Sequence, residues 1–143
     1  MMRGYYFPGG DLADPESLGM RPHPEGGWYR ELYRNDLSVA TTRGRRPLST
    51  AISFLLRPGE ESAWHRVASD EIWFWQGGGA LELRTGSDGE RPTSEVTYQL
   101  GVGGQLLVPA DTWQTARPAD DESVIVGCVV SPGFDFADFQ LLD

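Results

Sequence analysis

The sequence contains no lysine: all 12 of its basic residues are arginine. That absence excludes a Schiff-base mechanism, a pyridoxal-bearing lysine and the phosphate-gripping lysine of a P-loop, since each depends on an amine that arginine does not supply. Cysteine occurs once, as Cys128, so neither an internal disulfide nor a Cys-x-x-Cys pair can form. Histidine occurs only at His23 and His65, which leaves too few imidazoles for a three-histidine metal site. No apolar run approaches the length of a membrane span, and the opening MMRGYYFPGGDLADPE lacks the apolar stretch and small-residue cleavage site of a secretory signal. A cytoplasmic location is expected, with no membrane partner. Basic charge is also scarce: 21 acids outweigh 12 bases, for a net −9, and long-range repulsion disfavours nucleic acid.

What remains is the composition of one folded domain. The chain has 143 residues, 39% of them hydrophobic and 16 aromatic, enough for a core and too apolar for disorder. Neither an internal repeat nor a composition break marks a second domain. Residues 1–17, rich in Gly, Pro and acids, read as an N-terminal arm with a short helical turn near Pro15–Leu18, and residues 18–143 as the folded domain. Runs of strand character recur at short intervals: 28–34, 50–56, 62–67, 71–76, 80–84, 94–100, 105–108, 112–116, 124–130 and 136–142. Pro58-Gly59, Gly77-Gly78-Gly79, Gly103-Gly104 and Pro132-Gly133 punctuate them. Helical periodicity is weak throughout, so the pattern predicts an all-β sandwich or barrel. Arg43–Pro47 reads as a basic turn or loop. Cys128, inside the apolar run 124–130, reads as a buried structural thiol.

Two spaced motifs sharpen the fold. Gly59, His65, Val67, Glu71 and Gly78 follow the spacing G-x5-H-x-H-x3-E-x6-G, with Val67 in place of a histidine. Gly103, Pro109, Asp111 and Gln114 follow G-x5-P-x-G-x2-H, with Asp111 for the glycine and Gln114 for the histidine. These are similar to the two cupin motifs, and the resemblance implies a single cupin-type jelly-roll β-barrel with little helix. Longer segments resemble the small single-domain cupin-5, or sugar-epimerase-like, family over about residues 18 to 142. They are His23-Pro24-Glu25-Gly26-Gly27-Trp28-Tyr29-Arg30-Glu31, residues 49–56, Trp64-His65-Arg66, Ser69-Asp70-Glu71-Ile72-Trp73, Trp113-Gln114 and Ser131-Pro132-Gly133-Phe134. The family usually carries a histidine where this chain has Phe74. The resemblance also implies a homodimer.

In cupins with the full ligand set, three histidines and a glutamate hold a divalent metal. Here Val67 cannot bind a metal and Gln114 offers only a neutral amide oxygen. The expectation is a pocket with no metal and no cofactor. His65 is the candidate general acid or base and Glu71 its orienting carboxylate. Gln114 would hold a substrate oxygen, and Trp73 and Trp113 are candidate pocket wall. Tyr29 and Glu31 reach the pocket if their strand face points inward, and Ser53, within the resembling segment 49–56, completes the substrate-binding set. His23 reads as a turn residue or strand-edge contact rather than a ligand. The expected function is metal-independent proton transfer on a small molecule, as in an epimerase, isomerase, cyclase or dehydratase. A non-catalytic module for a small hydrophobic or aromatic metabolite, and a metal enzyme with a reduced ligand set, are the alternatives.

Overall fold

The computed structural model describes residues 7–143, so the first six residues of the expected arm lie outside the described part. A 3-10 turn, Glu16–Leu18, precedes strands β1 (Arg21–Pro22), β2 (Trp28–Arg34), β3 (Ser38–Thr41), β4 (Gly44–Pro47), β5 (Thr50–Leu56), β6 (Ser62–Val67) and β7 (Asp70–Gly78). There follow β8 (Leu81–Thr85), β9 (Val96–Leu100), β10 (Gln105–Val108), β11 (Gln114–Pro118) and β12 (Val124–Ser131), then a 3-10 turn Phe136–Asp138 and β13 (Phe139–Leu141). Two sheets face each other, ordered β1-β2-β5-β12-β7-β10 and β13-β6-β11-β8-β9, with β3-β4 as a separate hairpin. All of the pairings are antiparallel. This is the jelly-roll architecture that the two motifs imply.

Strand alternation decides what enters the barrel. From the larger sheet, Phe54, Leu56, Trp73, Val124, Val126 and Cys128 point inward. They meet Leu81, Leu83, Leu100 and Ala116 of the smaller one in a single buried cluster. Trp75 packs against that cluster from the partly buried side, and its indole N–H donates to the Gly79 carbonyl at 2.8 Å. Phe74 takes the opposite parity, as the alternation of 70–76 predicts. On the outer face, Phe7 and Leu12 lie with Trp28 against Leu18, Met20, Leu55 and Ile125.

Two irregularities matter for the site. The β2–β5 register slips between Glu31 and Tyr33. That bulge inserts Leu32, so Arg34 pairs with Thr50 and joins Tyr29 and Glu31 on the inner side, while Tyr33 pairs with Ala51 on the other. Plain alternation, which groups Tyr33 with Tyr29, does not anticipate this. Arg43 lies in a turn, as expected, but residues 44–47 depart from the expected turn or loop by forming the strand β4. The charges of Arg43 and Arg46 are answered by Asp138, at 3.1 and 2.8 Å, from the far end of the chain. The clasp fixes the turn that carries Phe136 and leads into Phe139.

The turn at residues 23–27 brings the N-terminal segment against the barrel. Gly26 adopts φ +108°, and a Cβ there would stand 2.1 Å from the Glu61 carbonyl oxygen. Only glycine fits both demands. Gly26→Ala should destabilise the domain by at least about 2 kcal/mol, through strain and a displaced turn. Chemical denaturation measures this; a loss within error of zero would contradict the placement of this turn.

Candidate active site

Adjoining the apolar core, the barrel holds a cavity of about 120 Å³, close to the ~150 Å³ engineered cavity that admits benzene. Its inner lining includes Glu25, His65, Glu71 and Cys128; its walls include Tyr29, Ile52, Val67 and Phe139. Arg21, His23, Glu31, Arg34, Thr50, Val130, Phe134 and Phe136 complete the lining. Of the residues expected from sequence, His65, Glu71, Tyr29 and Glu31 come together here. Gln114 stands one hydrogen bond behind Glu71. Trp73, Trp113 and Ser53 do not line the cavity. Trp73 is core, edge-on to Phe54 at 6.0 Å. Trp113 is buried elsewhere, with its N–H on the Gly89 carbonyl at 2.8 Å and the Arg66 guanidinium 4.6 Å from its ring. Ser53 borders a separate outer-face depression with Leu32, Gln76 and Ile125.

The residue that sequence reasoning missed is Glu25. Its carboxylate accepts from His65 Nε2 at 2.9 Å and from the Ser62 hydroxyl in a short bond. On the other side of the ring, His65 Nδ1 lies 2.7 Å from the Ala63 carbonyl oxygen, which can only accept. Both ring nitrogens therefore donate, and the imidazole is held as an imidazolium. Burial works against that charge, but the Glu25 carboxylate and its hydrogen bond outweigh it and raise the His65 pKa to about 9. Burial likewise works against the charge of Glu25, yet the His65 cation and hydrogen bond hold its pKa below the usual carboxylate value. Glu71 is thus not the partner that orients His65. A signal for Glu25 was present: an acid flanked by histidine and two glycines, in a chain with only two histidines.

Glu71 has another set of partners. The Trp73 indole N–H donates to Gln114 Oε1 at 2.9 Å, and the amide that this fixes donates Nε2–H to Glu71 Oε1 at 2.8 Å. Because an indole can only donate, the relay runs in one direction. Burial pushes the Glu71 pKa up, opposed by the His65 charge, reinforced by the Glu25 charge and opposed again by the Gln114 bond. The result is about 7. The Cys128 thiol also bonds to Glu71, and burial keeps it protonated.

His23 is not merely a turn residue. Its Nδ1 accepts the Glu25 backbone N–H at 3.1 Å, and burial lowers its pKa. It is therefore a neutral ring, and its 3.2 Å approach to Glu25 Oε1 is not an ion pair. It packs edge-on to Tyr29 at 4.8 Å and lies near Phe134, Phe136 and Phe139. These three phenylalanines also contact one another, at 4.9 to 6.1 Å, and form an aromatic wall that the strand pattern does not reveal.

A divalent metal does not fit these residues. Val67 lines the cavity with no donor atom, both His65 nitrogens are committed to acceptors, and Gln114 turns its N–H rather than its oxygen toward Glu71. Among the described residues no three His, Cys, Asp or Glu side chains group so as to hold a metal ion.

Comparison with known proteins agrees with this architecture. Residues 16–142 match the family Cupin_5, described as cupin superfamily (DUF985). The chain belongs to this family. A crystal structure of a Shewanella oneidensis protein is 36% identical, with TM-score 0.80, over 90% of this chain and 83% of that one. A hypothetical protein from Leishmania major is 32% identical, with TM-score 0.76, over 90% and 84%. A Klebsiella pneumoniae protein with a double-stranded β-helix domain shares the fold at 18% identity and TM-score 0.63, over 95% and 97%. None of the curated proteins matches the chain. Among the described residues, no helix of this Cupin_5 protein is long and apolar enough to cross a membrane.

The raised pKa of Glu71 has a cost in stability. A carboxyl at about 7 in the fold, against an ordinary value of 4.5, favours the folded state fully below the lower value and loses that contribution as pH rises through the upper one. Glu71→Gln should therefore gain stability over the wild type by up to about 3 kcal/mol above pH 8, with the difference shrinking below pH 5. Denaturation at several pH values measures it; a pH-independent difference would contradict the assigned titration.

Proposed function

We propose that this Cupin_5 protein is a metal-independent acid–base enzyme acting on a small molecule, with Glu71 as the proton-transferring group. The observation that carries this reading is a buried carboxyl, lining a cavity of substrate size, whose pKa of about 7 leaves both protonation states populated at neutral pH. His65 has a different part from the one its motif position suggests. With both nitrogens donating, it has no lone pair with which to act as a base, and serves as a fixed positive charge near Glu71.

The chemistry that suits this arrangement is proton abstraction from a carbon beside a carbonyl. The Glu71 carboxylate takes the proton, and the electron pair moves onto the carbonyl oxygen as an enolate. While on Glu71 the proton exchanges with solvent; the carboxyl then protonates the neighbouring carbon in an isomerisation, the opposite face of an enolate that has turned over in the cavity in an epimerisation, or a departing β-hydroxyl in a dehydration. The Tyr29 hydroxyl, on the cavity wall, can donate to the oxygen that gains charge. Gln114 holds Glu71 in place rather than touching substrate.

A panel of small hydroxy acids, keto acids and hydroxyketones in D2O, followed by proton NMR, tests this proposal. At least one compound should exchange a carbon-bound proton in the presence of the protein, and Glu71→Gln should slow that exchange by about 100- to 10,000-fold. Compounds that bind without exchange would favour the binding-module reading, for which the three-phenylalanine wall is the specific support.

We also propose a homodimer through the outer face of the larger sheet. Ile72, Phe74, Leu107 and Val129 lie there on adjacent strands, and Leu107 is 53% exposed. An apolar sheet face of this kind favours association. Light scattering should give twice the chain mass at micromolar concentration and a shift toward monomer for Leu107→Asp; monomer mass for the wild type would contradict the proposal.

A further inference from the structure

Of the three cationic side chains that line the cavity, Arg21, Arg34 and His65, two are matched by carboxylates. Arg34 is tied to Glu31 at 2.7 Å and donates to the Phe134 carbonyl at 3.3 Å. The charge of His65 is answered by Glu25. Arg21 also lines the cavity, because its pairing with Tyr29 across β1 and β2 places both side chains on one face. Its guanidinium lies 5.3 Å from the Tyr29 ring centroid. Among the described residues no hydrogen bond or carboxylate engages it. Arg21 and Phe136 line the cavity while remaining exposed to solvent, Phe136 by 52%, and an arginine fork left open at such an entrance is suited to recognising an anion.

We infer that the cavity takes a small monocarboxylic acid. Its carboxylate is held by Arg21, its body lies against Phe134, Phe136 and Phe139, and its reacting carbon faces Glu71. Only the last clause rests on the acid–base reading above. The size of the cavity limits the ligand to roughly the bulk of a benzene ring plus a small group. A carboxylate fits better than a phosphate for two reasons. The planar guanidinium matches a carboxylate with two parallel hydrogen bonds. Glu25, Glu31 and Glu71, which share the lining, repel a second negative charge. Arg21 then acts as a specificity-determining residue, selecting acids over neutral analogues of the same shape.

Calorimetry with benzoate, benzyl alcohol and phenyl phosphate as probes tests this on the intact protein. Benzoate should bind at least about tenfold more tightly than benzyl alcohol, as expected for a charge-assisted pair. Arg21→Gln should abolish that preference without changing the melting temperature, and Arg21→Lys should keep part of it, since it retains the charge and loses the fork. Glu71→Gln should retain benzoate binding. Equal binding of benzoate and benzyl alcohol, an unaltered preference in Arg21→Gln, or phenyl phosphate binding more tightly than benzoate would each overturn the inference. Its failure is distinguishable from failure of the acid–base reading. Deuterium exchange that depends on Glu71 but shows no preference for acids removes the carboxylate and leaves the enzyme. An Arg21-dependent preference for benzoate with no exchange on any acid does the reverse.

Discussion

The ion pair between Glu25 and His65 is the constraint on which the rest of the site depends. Two charges taken out of water cost several kcal/mol each, and their mutual attraction recovers that only when the remaining hydrogen-bonding capacity is also met. Here it is met. Glu25 also accepts from Ser62, and the second nitrogen of His65 finds the Ala63 carbonyl. Such a pair adds little to stability compared with apolar residues of the same volume. Its effect is electrostatic: it places a permanent positive and a permanent negative charge beside Glu71. Those charges act in opposite directions on a carboxyl that burial has already raised, and the balance lies near neutrality.

The same pair explains the demands made on the chain around it. Glu25 enters the barrel from a turn whose Gly26 cannot be replaced by a larger residue, and the Ala63 N–H donates to the Glu25 carbonyl at 2.7 Å. From the other end of the chain, the Arg46–Asp138 clasp holds the turn that supplies Phe136 and precedes Phe139, whose ring lies 5.5 Å from His65. The cupin motif positions 67 and 114 then carry a new arrangement. A valine removes one donor atom, and a glutamine fixed by Trp73 turns an N–H toward the glutamate. A ligand set for a cation is replaced by a hydrogen-bond relay that holds a carboxyl.

The strands at 28–34, 50–56, 62–67 and 105–108 are legible in the sequence to the residue, because turn-forming glycines and prolines bound alternating apolar runs. The motif spacing also brings His65 and Glu71 together, since β6 and β7 are joined by residues 68–69 alone and face each other from opposite sheets. What it does not show is which charges meet across the barrel. Glu25 reaches His65 from 40 residues upstream, through a turn whose glycines signal shape rather than chemistry. The bulge at Leu32 exchanges Tyr33 for Arg34 at the cavity, and a period-two pattern gives no sign of a single inserted residue. Trp73 has the inward parity expected of it, yet the same inward face serves core at one level of the barrel and cavity at another. Parity decides direction and not depth, which is why Trp73 is core while Glu71, two residues earlier on the same face, lines the cavity.

Nitrogen NMR of the His65 imidazole as a function of pH tests the central claim most directly. With Glu25 and the Ala63 carbonyl as acceptors, both ring nitrogens should show protonated shifts at pH 7.5, and one of the two should lose its proton only as pH rises toward about 9. In Glu25→Gln the transition should move to lower pH, because the opposing charge is gone. A wild-type His65 that is already neutral at pH 7.5, with a transition near the ordinary histidine value, would contradict the ion pair and the charge balance built on it.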